Sequence, residues 1–149
     1  MKFYTIGFTQ KSAETFFGLL EKAQVTLLLD TRLNNVSQLA GFTKARDLKY
    51  FLKRILNAKY LHSIECAPTK DILDNYKKGK ISWVEYEKKY NALLEERNIK
   101  ELFPKKVDIE KETVCILCSE DTPENCHRRL LAEYLKKHLN AKIEIVHLL

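Results

Sequence analysis

The sequence predicts an α/β fold, a three-layer sandwich in which a mostly parallel five-stranded sheet carries helices on both faces. Short apolar runs alternate with segments of helical periodicity along the whole chain. One run, VTLLLD, is apolar almost throughout, which is typical of a strand covered on both faces. No polar or Pro/Gly-rich linker interrupts the 149 residues, so we predict a single α/β domain over residues 1–149.

The individual elements follow from these patterns. The predicted strands are KFYTIG, VTLLLD, AKYLHSI, TVCILC and AKIEIVHLL, the last alternating enough to be an edge. The predicted helices are SAETFFGLLEKA with Ser12 as N-cap, ARDLKYFLKRIL, a short and a longer helix within KDILDNYKKGKISWVEYEKKYNALLEERNI, and PENCHRRLLAEYLKKHL. The stretch NNVSQLAGF is a predicted loop.

Composition narrows the class of protein. Hydrophobic residues make up 45% and charged residues 31%, ordinary values for a globular domain. The start lacks the apolar region of a signal peptide, and no run approaches the roughly 20 apolar residues of a membrane span. We therefore expect a cytoplasmic protein without a membrane partner, whose four cysteines serve chemistry, metal binding or packing before a disulfide framework.

The net charge of +6 is compatible with a polyanionic partner such as nucleic acid. It arises partly from TKARDLKYFLKR, NYKKGK and FPKKVD. Solvated helix faces and loops explain the same residues, and we favour that interpretation.

Chemistry is concentrated in CILCSEDTPENCHRRLLAEYL, where a strand ends and a helix begins. We expect this helix to start near Pro123, a residue suited to a first turn. At about 100° per residue, His127 falls on the apolar face, Arg128 at its edge and Arg129 on the opposite, solvated side.

This joint has the features of an anion site with an activated thiol. Free N–H groups at a helix start attract anions, and Arg128 would add a fork suited to phosphate or carboxylate. The same positive setting favours a thiolate, so Cys118 and Cys126 are candidate nucleophiles. His127 is a candidate acid/base, with Glu120 or Asp30 as the group that orients it.

Other interpretations of the cysteines remain open. Cys115 and Cys118 lie three apart on a strand, on opposite faces, so the pair does not predict a metal knuckle, and Cys115 is expected in the core. Cys118, Cys126 and His127 could supply three metal ligands, but the spacing is not a familiar zinc pattern. We predict no metal site, and the sequence requires no cofactor.

A second group of candidates follows the other strands. In a parallel sheet the carboxyl ends of the strands share one rim, where ligands bind. Asp30 and Arg32 have the same strand parity, so they either form a structural ion pair, or Arg32 binds an anion while Asp30 orients it or acts as a base. Thr9, after the first strand, is a further candidate for anion binding.

The chain resembles the domain-of-unknown-function family 488. The resemblance rests on YTIG at Tyr4–Gly7, DTR at Asp30–Arg32 and CSEDTPENCHR at Cys118–Arg128, and GFTKARDLKYFL resembles the family's Phe-containing loop and following helix. It implies an α/β sandwich and marks Asp30, Arg32, Cys118, Glu120, Cys126, His127 and Arg128 as motif positions, without implying a reaction.

The chain also departs from the family pattern. Where the family often has His then Ser after the opening glycine, this chain has Phe8 and Thr9. Cys66 and Ala67 follow Glu65, where Leu-Gly is frequent. Any role of a histidine at position 8 is therefore lost here.

These observations favour an enzyme whose anion-binding site and reactive cysteine lie at the rim of the sheet. Its substrate would be a small phosphate or carboxylate compound, or a nucleotide or nucleic-acid end. A non-catalytic nucleic-acid-binding module and a thiol redox sensor are the alternatives. The sequence does not predict the reaction or the oligomeric state.

Overall fold

A computed structural model describes residues 1–36, 41–120 and 123–149. It has five strands, all parallel: β1 (Lys2–Gly7), β2 (Leu27–Asp30), β3 (Lys59–His62), β4 (Val114–Cys118) and β5 (Glu144–Leu148). The order across the sheet is β3-β2-β4-β1-β5, which confirms the α/β class and leaves β5 at an edge, as the sequence predicts.

Six helices are present in the described part of the chain. They are α1 (Ala13–Lys22), α2 (Ala45–Phe51), α3 (Lys70–Lys77), α4 (Trp83–Glu96), α5 (Ile99–Lys106) and α6 (His127–Leu139). A π-helical turn, Leu52–Leu56, continues α2, and short 3₁₀ turns lie at Gly41–Thr43 and Ile64–Cys66. None of the described helices is both long and apolar enough to cross a membrane.

Local signals explain most boundaries. The Ser12 side chain accepts a hydrogen bond from the Thr15 backbone N–H, which makes it the expected N-cap of α1. Asn98, with a φ of 56°, ends α4 in the left-handed region and redirects the chain into α5.

Two expectations are corrected. The predicted longer helix ends at Ile99, and no helix is predicted for the residues that follow, whereas the structure has the separate helix α5 there with Pro104 inside it. The last helix begins at His127 with Cys126 as N-cap, not at Pro123. The predicted loop NNVSQLAGF lies partly outside the described residues, which omit positions 37–40.

The sheet separates two apolar layers. One contains the buried faces of α4, α5 and α6 against β1, β2 and β4, with Phe3, Ile116 and Leu131 among its members. The other contains α1 and α2 against the opposite face, with Ile6 and Leu28. Because β2, β4 and β1 are central, the carboxyl ends of these three strands meet at one rim between the layers.

Candidate functional site

Strand register brings the sequence candidates to this rim. Gly7 pairs with Cys118, while Asp30 pairs with Leu117 on one side and His62 on the other. The loops that follow β1, β2 and β4 therefore leave the sheet side by side.

A cavity of about 450 Å³ opens at the rim, and we call it the rim pocket. Its polar wall includes Thr9, Arg32, Ser119, Glu120, Asn125 and His127. Its apolar and aromatic wall includes Phe8, Leu33, Pro68, Leu73, Tyr76 and Tyr86. Cys118 and Cys126 also border it. The volume lies within the range of small-molecule sites, about 300–1,000 Å³.

Arg32 is buried and held by several contacts, but one of its nitrogens has no hydrogen-bond partner among the described residues. Its Nε and Nη2 donate to the two carboxylate oxygens of Asp30 at 2.9 and 2.7 Å, and Nη2 also donates to the Thr43 carbonyl at 2.6 Å. The guanidinium carbon lies 5.4 Å from the centre of the Phe8 ring. Nη1 is buried and has no hydrogen-bond partner among the described residues. A buried guanidinium nitrogen at the wall of a pocket is suited to receive an anion.

Asp30 is fully buried and engaged. Besides Arg32 it accepts a hydrogen bond from the Tyr60 hydroxyl at 2.5 Å, and Tyr60 in turn accepts one from the Asn35 side-chain amide at 3.0 Å. Burial, followed by the Asp30 carboxylate, raises the pKa of Tyr60 well above its usual range. The contacts favour orientation of Arg32, rather than base catalysis, as the role of Asp30.

Arg128 lies behind the pocket wall rather than on it. This side chain is fully buried and donates from Nη1 to Cys118 Sγ at 3.3 Å and to the Glu120 carbonyl, and from Nε to Thr5 Oγ1 at 3.3 Å. A Cβ on Gly7 would lie 1.5 Å from the Glu120 carbonyl oxygen and 2.6 Å from Arg128 Nη1. Gly7 is therefore needed for this close approach. Arg129, as expected, points outward and pairs with Glu133.

Cys118 and Cys126 are joined as a disulfide, with Cα atoms 7.5 Å apart. Cys118 ends β4 and Cys126 precedes α6, so the bond links strand end to helix start across the rim. Cys115 is free and fully buried, and burial raises the pKa of its thiol, consistent with the predicted core role.

His127 is buried and neutral near pH 7. Burial, the largest cause, lowers the pKa of its ring to about 4. Nε2 lies 2.8 Å from the Thr31 carbonyl, which can only accept, so Nε2 carries the proton and Nδ1 is left as the acceptor. A neutral ring adds no positive charge beside the thiols, so the positive setting comes from Arg128 and the helix start.

One group among the described residues brings together potential metal ligands. Atoms of Cys118, Cys126 and His127 lie within 4.8 Å of one another. In this structure the two sulfurs are bonded to each other, so the group is a disulfide with a neighbouring imidazole.

Some residues that contact Arg128 or line the rim pocket are not among the site residues predicted from the sequence. Thr5 and His147 bond each other beside Arg128, and Tyr76 and Tyr86 line the pocket. Tyr86 of α4 is buried in the core and also lines the pocket. His147 carries no local signal, because its place depends on pairing between β1 and β5.

The model of the domain-of-unknown-function family DUF488 matches residues 12–135. The chain belongs to this family. The matched range contains the DTR and CHR segments but begins after Tyr4–Gly7. No curated protein matches the chain, and no solved structure matches it.

Proposed function

We propose that this DUF488 protein is an enzyme that binds a small phosphate- or carboxylate-bearing substrate in the rim pocket and acts on it with a cysteine thiolate. The observation that carries the proposal is the position of Arg32. Its side chain is only 3% exposed, its Nη1 has no partner among the described residues, and it borders a pocket that also reaches both sulfurs. A bound oxyanion would complete the hydrogen bonding of this nitrogen.

The reactive form would be the reduced protein, in which an external dithiol has opened the Cys118–Cys126 bond by thiol–disulfide exchange and is itself oxidised to a disulfide. Arg128 Nη1, 3.3 Å from Cys118 Sγ, favours the thiolate, and so does the start of α6 beside Cys126. The thiolate would give its electron pair to an electrophilic centre of the substrate, while the leaving group departs with the pair of the broken bond. Water would then release the bound group, and its proton would restore the thiol. His127 Nδ1 is the acceptor that could hold a proton during these steps.

The pocket walls support a nucleotide as substrate. Tyr76 and Tyr86 have ring centres 5.2 Å apart, and both line the cavity together with Arg32. Aromatic side chains of this kind stack on bases, while Arg32 would hold the phosphate.

Titration calorimetry on the reduced protein tests the anion site, with inorganic phosphate and AMP as ligands. We expect saturable binding that weakens at least about tenfold in Arg32→Lys, because lysine keeps the positive charge but cannot form the bidentate hydrogen bonds of a guanidinium. Arg46→Lys is the matched control, since Arg46 is 93% exposed. Equal binding by Arg32→Lys and the wild type, or no binding of either ligand, contradicts the proposal. Binding of oligonucleotides alone, with a steep salt dependence, supports a nucleic-acid module instead.

Alkylation by iodoacetamide tests the thiolate. The rate should reach half its maximum at a lower pH than free cysteine requires, and peptide mapping should place the adduct on Cys118 or Cys126. Cys115, buried on the opposite face, is the internal control. Modification of neither rim thiol below the range of free cysteine would leave the pocket without a nucleophile.

A thiol redox sensor is the second candidate, favoured by the Cys118–Cys126 bond itself. A sensor needs the two sulfurs but not the open nitrogen of Arg32. Reversible oxidation by hydrogen peroxide with no binding of phosphate or AMP would favour the sensor.

A further inference from the structure

Arg128 depends on a polar chain that crosses the sheet. It is the largest of the fully buried side chains, and its guanidinium reaches Cys118 with Nη1 and Thr5 with Nε. A guanidinium only donates hydrogen bonds, so the Thr5 hydroxyl oxygen is the acceptor in the second contact.

The Thr5 hydroxyl has one proton to give, and a histidine ring lies next to it. His147 Nδ1 is 2.6 Å from Thr5 Oγ1, so a neutral ring with an unprotonated Nδ1 accepts that proton. Burial, followed by Arg128, lowers the pKa of His147, which favours this neutral form. The other charged groups that act on the ring are Glu133, Arg129 and Glu124.

Strand register places these partners. Thr5 is fully buried in β1 and pairs directly with His147 on the parallel strand β5. On the other side of β1, Gly7 pairs with Cys118 of β4. The chain His147–Thr5–Arg128–Cys118 therefore extends from the edge strand to the thiol at the rim.

We infer that Thr5 and His147 are positioning residues for the reactive thiol, because they orient the guanidinium of Arg128 toward Cys118. The inference rests on the proposed thiolate function. His147 fixes the direction of the Thr5 hydroxyl, and Thr5 then fixes Nε of Arg128. With Nε held, Nη1 is directed at the sulfur. Without this acceptor, one of the contacts that orient the guanidinium is lost while that of Nη1 to the Glu120 carbonyl remains, so the positive charge is placed less well beside the sulfur and the thiolate loses part of its stabilisation.

The test is the pH profile of Cys118 alkylation by iodoacetamide in the reduced protein. Thr5→Val keeps the shape but removes the acceptor, and it should move the half-maximal pH upward by about 1. Thr5→Ser retains the hydroxyl and should restore the wild-type profile. His147→Gln, on the partly exposed edge strand, should move the profile in the same direction as Thr5→Val by a smaller amount. Thr26→Val and His138→Gln are controls away from Arg128 and should leave the profile unchanged.

The outcomes of this test distinguish the thiolate function from the positioning role of Thr5 and His147. A wild-type profile equal to that of free cysteine overturns the thiolate function, and the positioning role with it. A low wild-type profile that stays unchanged in both Thr5→Val and His147→Gln overturns the positioning role alone. If Thr5→Val does not fold, His147→Gln decides: an upward shift supports the inference and an unchanged profile overturns it.

Discussion

Two buried arginines, Arg32 and Arg128, lie at the same rim of the sheet but have different surroundings. Arg32 lines the rim pocket, is paired with a carboxylate, lies beside the Phe8 ring and has one buried nitrogen without a hydrogen-bond partner among the described residues. Arg128 is enclosed and donates to a sulfur, a carbonyl and a hydroxyl. The comparison teaches that burial of the charge does not fix its role, because the partners decide whether an arginine can receive a ligand or can only organise its neighbours.

The local backbone explains this difference. Arg32 lies two residues after Asp30, so its side chain folds back on the carboxylate that ends β2. Arg128 projects from the first turn of α6 into space that exists because Gly7 has no side chain. Changes to the partners should therefore affect the two sides of the rim differently.

The largest effect on the free energy of unfolding is expected from a change to Asp30, the carboxylate that pairs with Arg32. Asp30→Asn leaves the Arg32 charge buried without its ion-pair partner and should lower the free energy of unfolding by about 3–5 kcal/mol. Asp47→Asn, where the carboxylate is partly exposed and lies 3.8 Å from Arg46, should change it by less than about 0.5 kcal/mol. Urea denaturation measures both variants. Similar losses in the two would show that the Asp30–Arg32 pair contributes little beyond a surface pair.

Low pH should lower the free energy of unfolding, because His127 at the rim pocket becomes protonated on unfolding. The unfolded ring titrates near 6.5 and the folded ring near 4, so the unfolded state binds more protons between these values. Stability contributed by the neutral ring is complete above pH 6.5 and is lost as the pH falls toward 4, by about 3 kcal/mol in total.

The measurement is urea denaturation at several pH values in wild type and His127→Gln. The variant should lose less stability over this interval, whereas His138→Gln should follow the wild type. Parallel curves for wild type and His127→Gln would contradict the predicted neutral state of the ring.

The stability of the surroundings of Arg128 should be sensitive to a methyl group added at Gly7. In Gly7→Ala the new methyl group meets the Glu120 carbonyl and Arg128 Nη1, and relief requires backbone movement. We expect a loss of about 2–3 kcal/mol, together with a shift of Cys118 alkylation to higher pH. Gly18→Ala is the matched control: Gly18 lies at an exposed position of α1 and nothing lies within 4 Å of its Cβ, so the substitution should stabilise by up to about 1 kcal/mol. An unchanged free energy of unfolding in Gly7→Ala would show that the backbone at the rim moves apart at little cost.

The sequence predicted features that depend on local periodicity. The alternation of apolar runs and helical stripes is sufficient to predict the α/β class, and strand parity brought Asp30 and Arg32 together. The parallel sheet then placed the ends of β1, β2 and β4 at one rim. The catalytic and anion-binding roles of the candidates remain predictions.

Features that depend on long-range contacts could not be predicted in this way. The Thr5–His147 contact joins residues 142 positions apart and requires the register of β1 and β5. The disulfide depends on the path of the loop before α6, and the separation of Arg128 from the pocket wall depends on the close approach at Gly7. The YTIG segment thereby gains a physical explanation, since Thr5 and Gly7 both contact the surroundings of Arg128.

The smallest effect is expected at Tyr60, which shares Asp30 with Arg32. Tyr60→Phe removes one hydrogen bond to a carboxylate that keeps its three hydrogen bonds from Arg32, so the free energy of unfolding should fall by only about 1–2 kcal/mol. Tyr50→Phe, at a side chain that is 59% exposed, is the control and should be neutral. Because Tyr60 contacts only the Arg32 side, the profile of Cys118 alkylation should not move, whereas AMP affinity should change if the carboxylate reorients Arg32. A shift of the alkylation profile in Tyr60→Phe would mean that the two arginines act as one coupled network, and the division of the rim into a binding side and a positioning side would then be wrong.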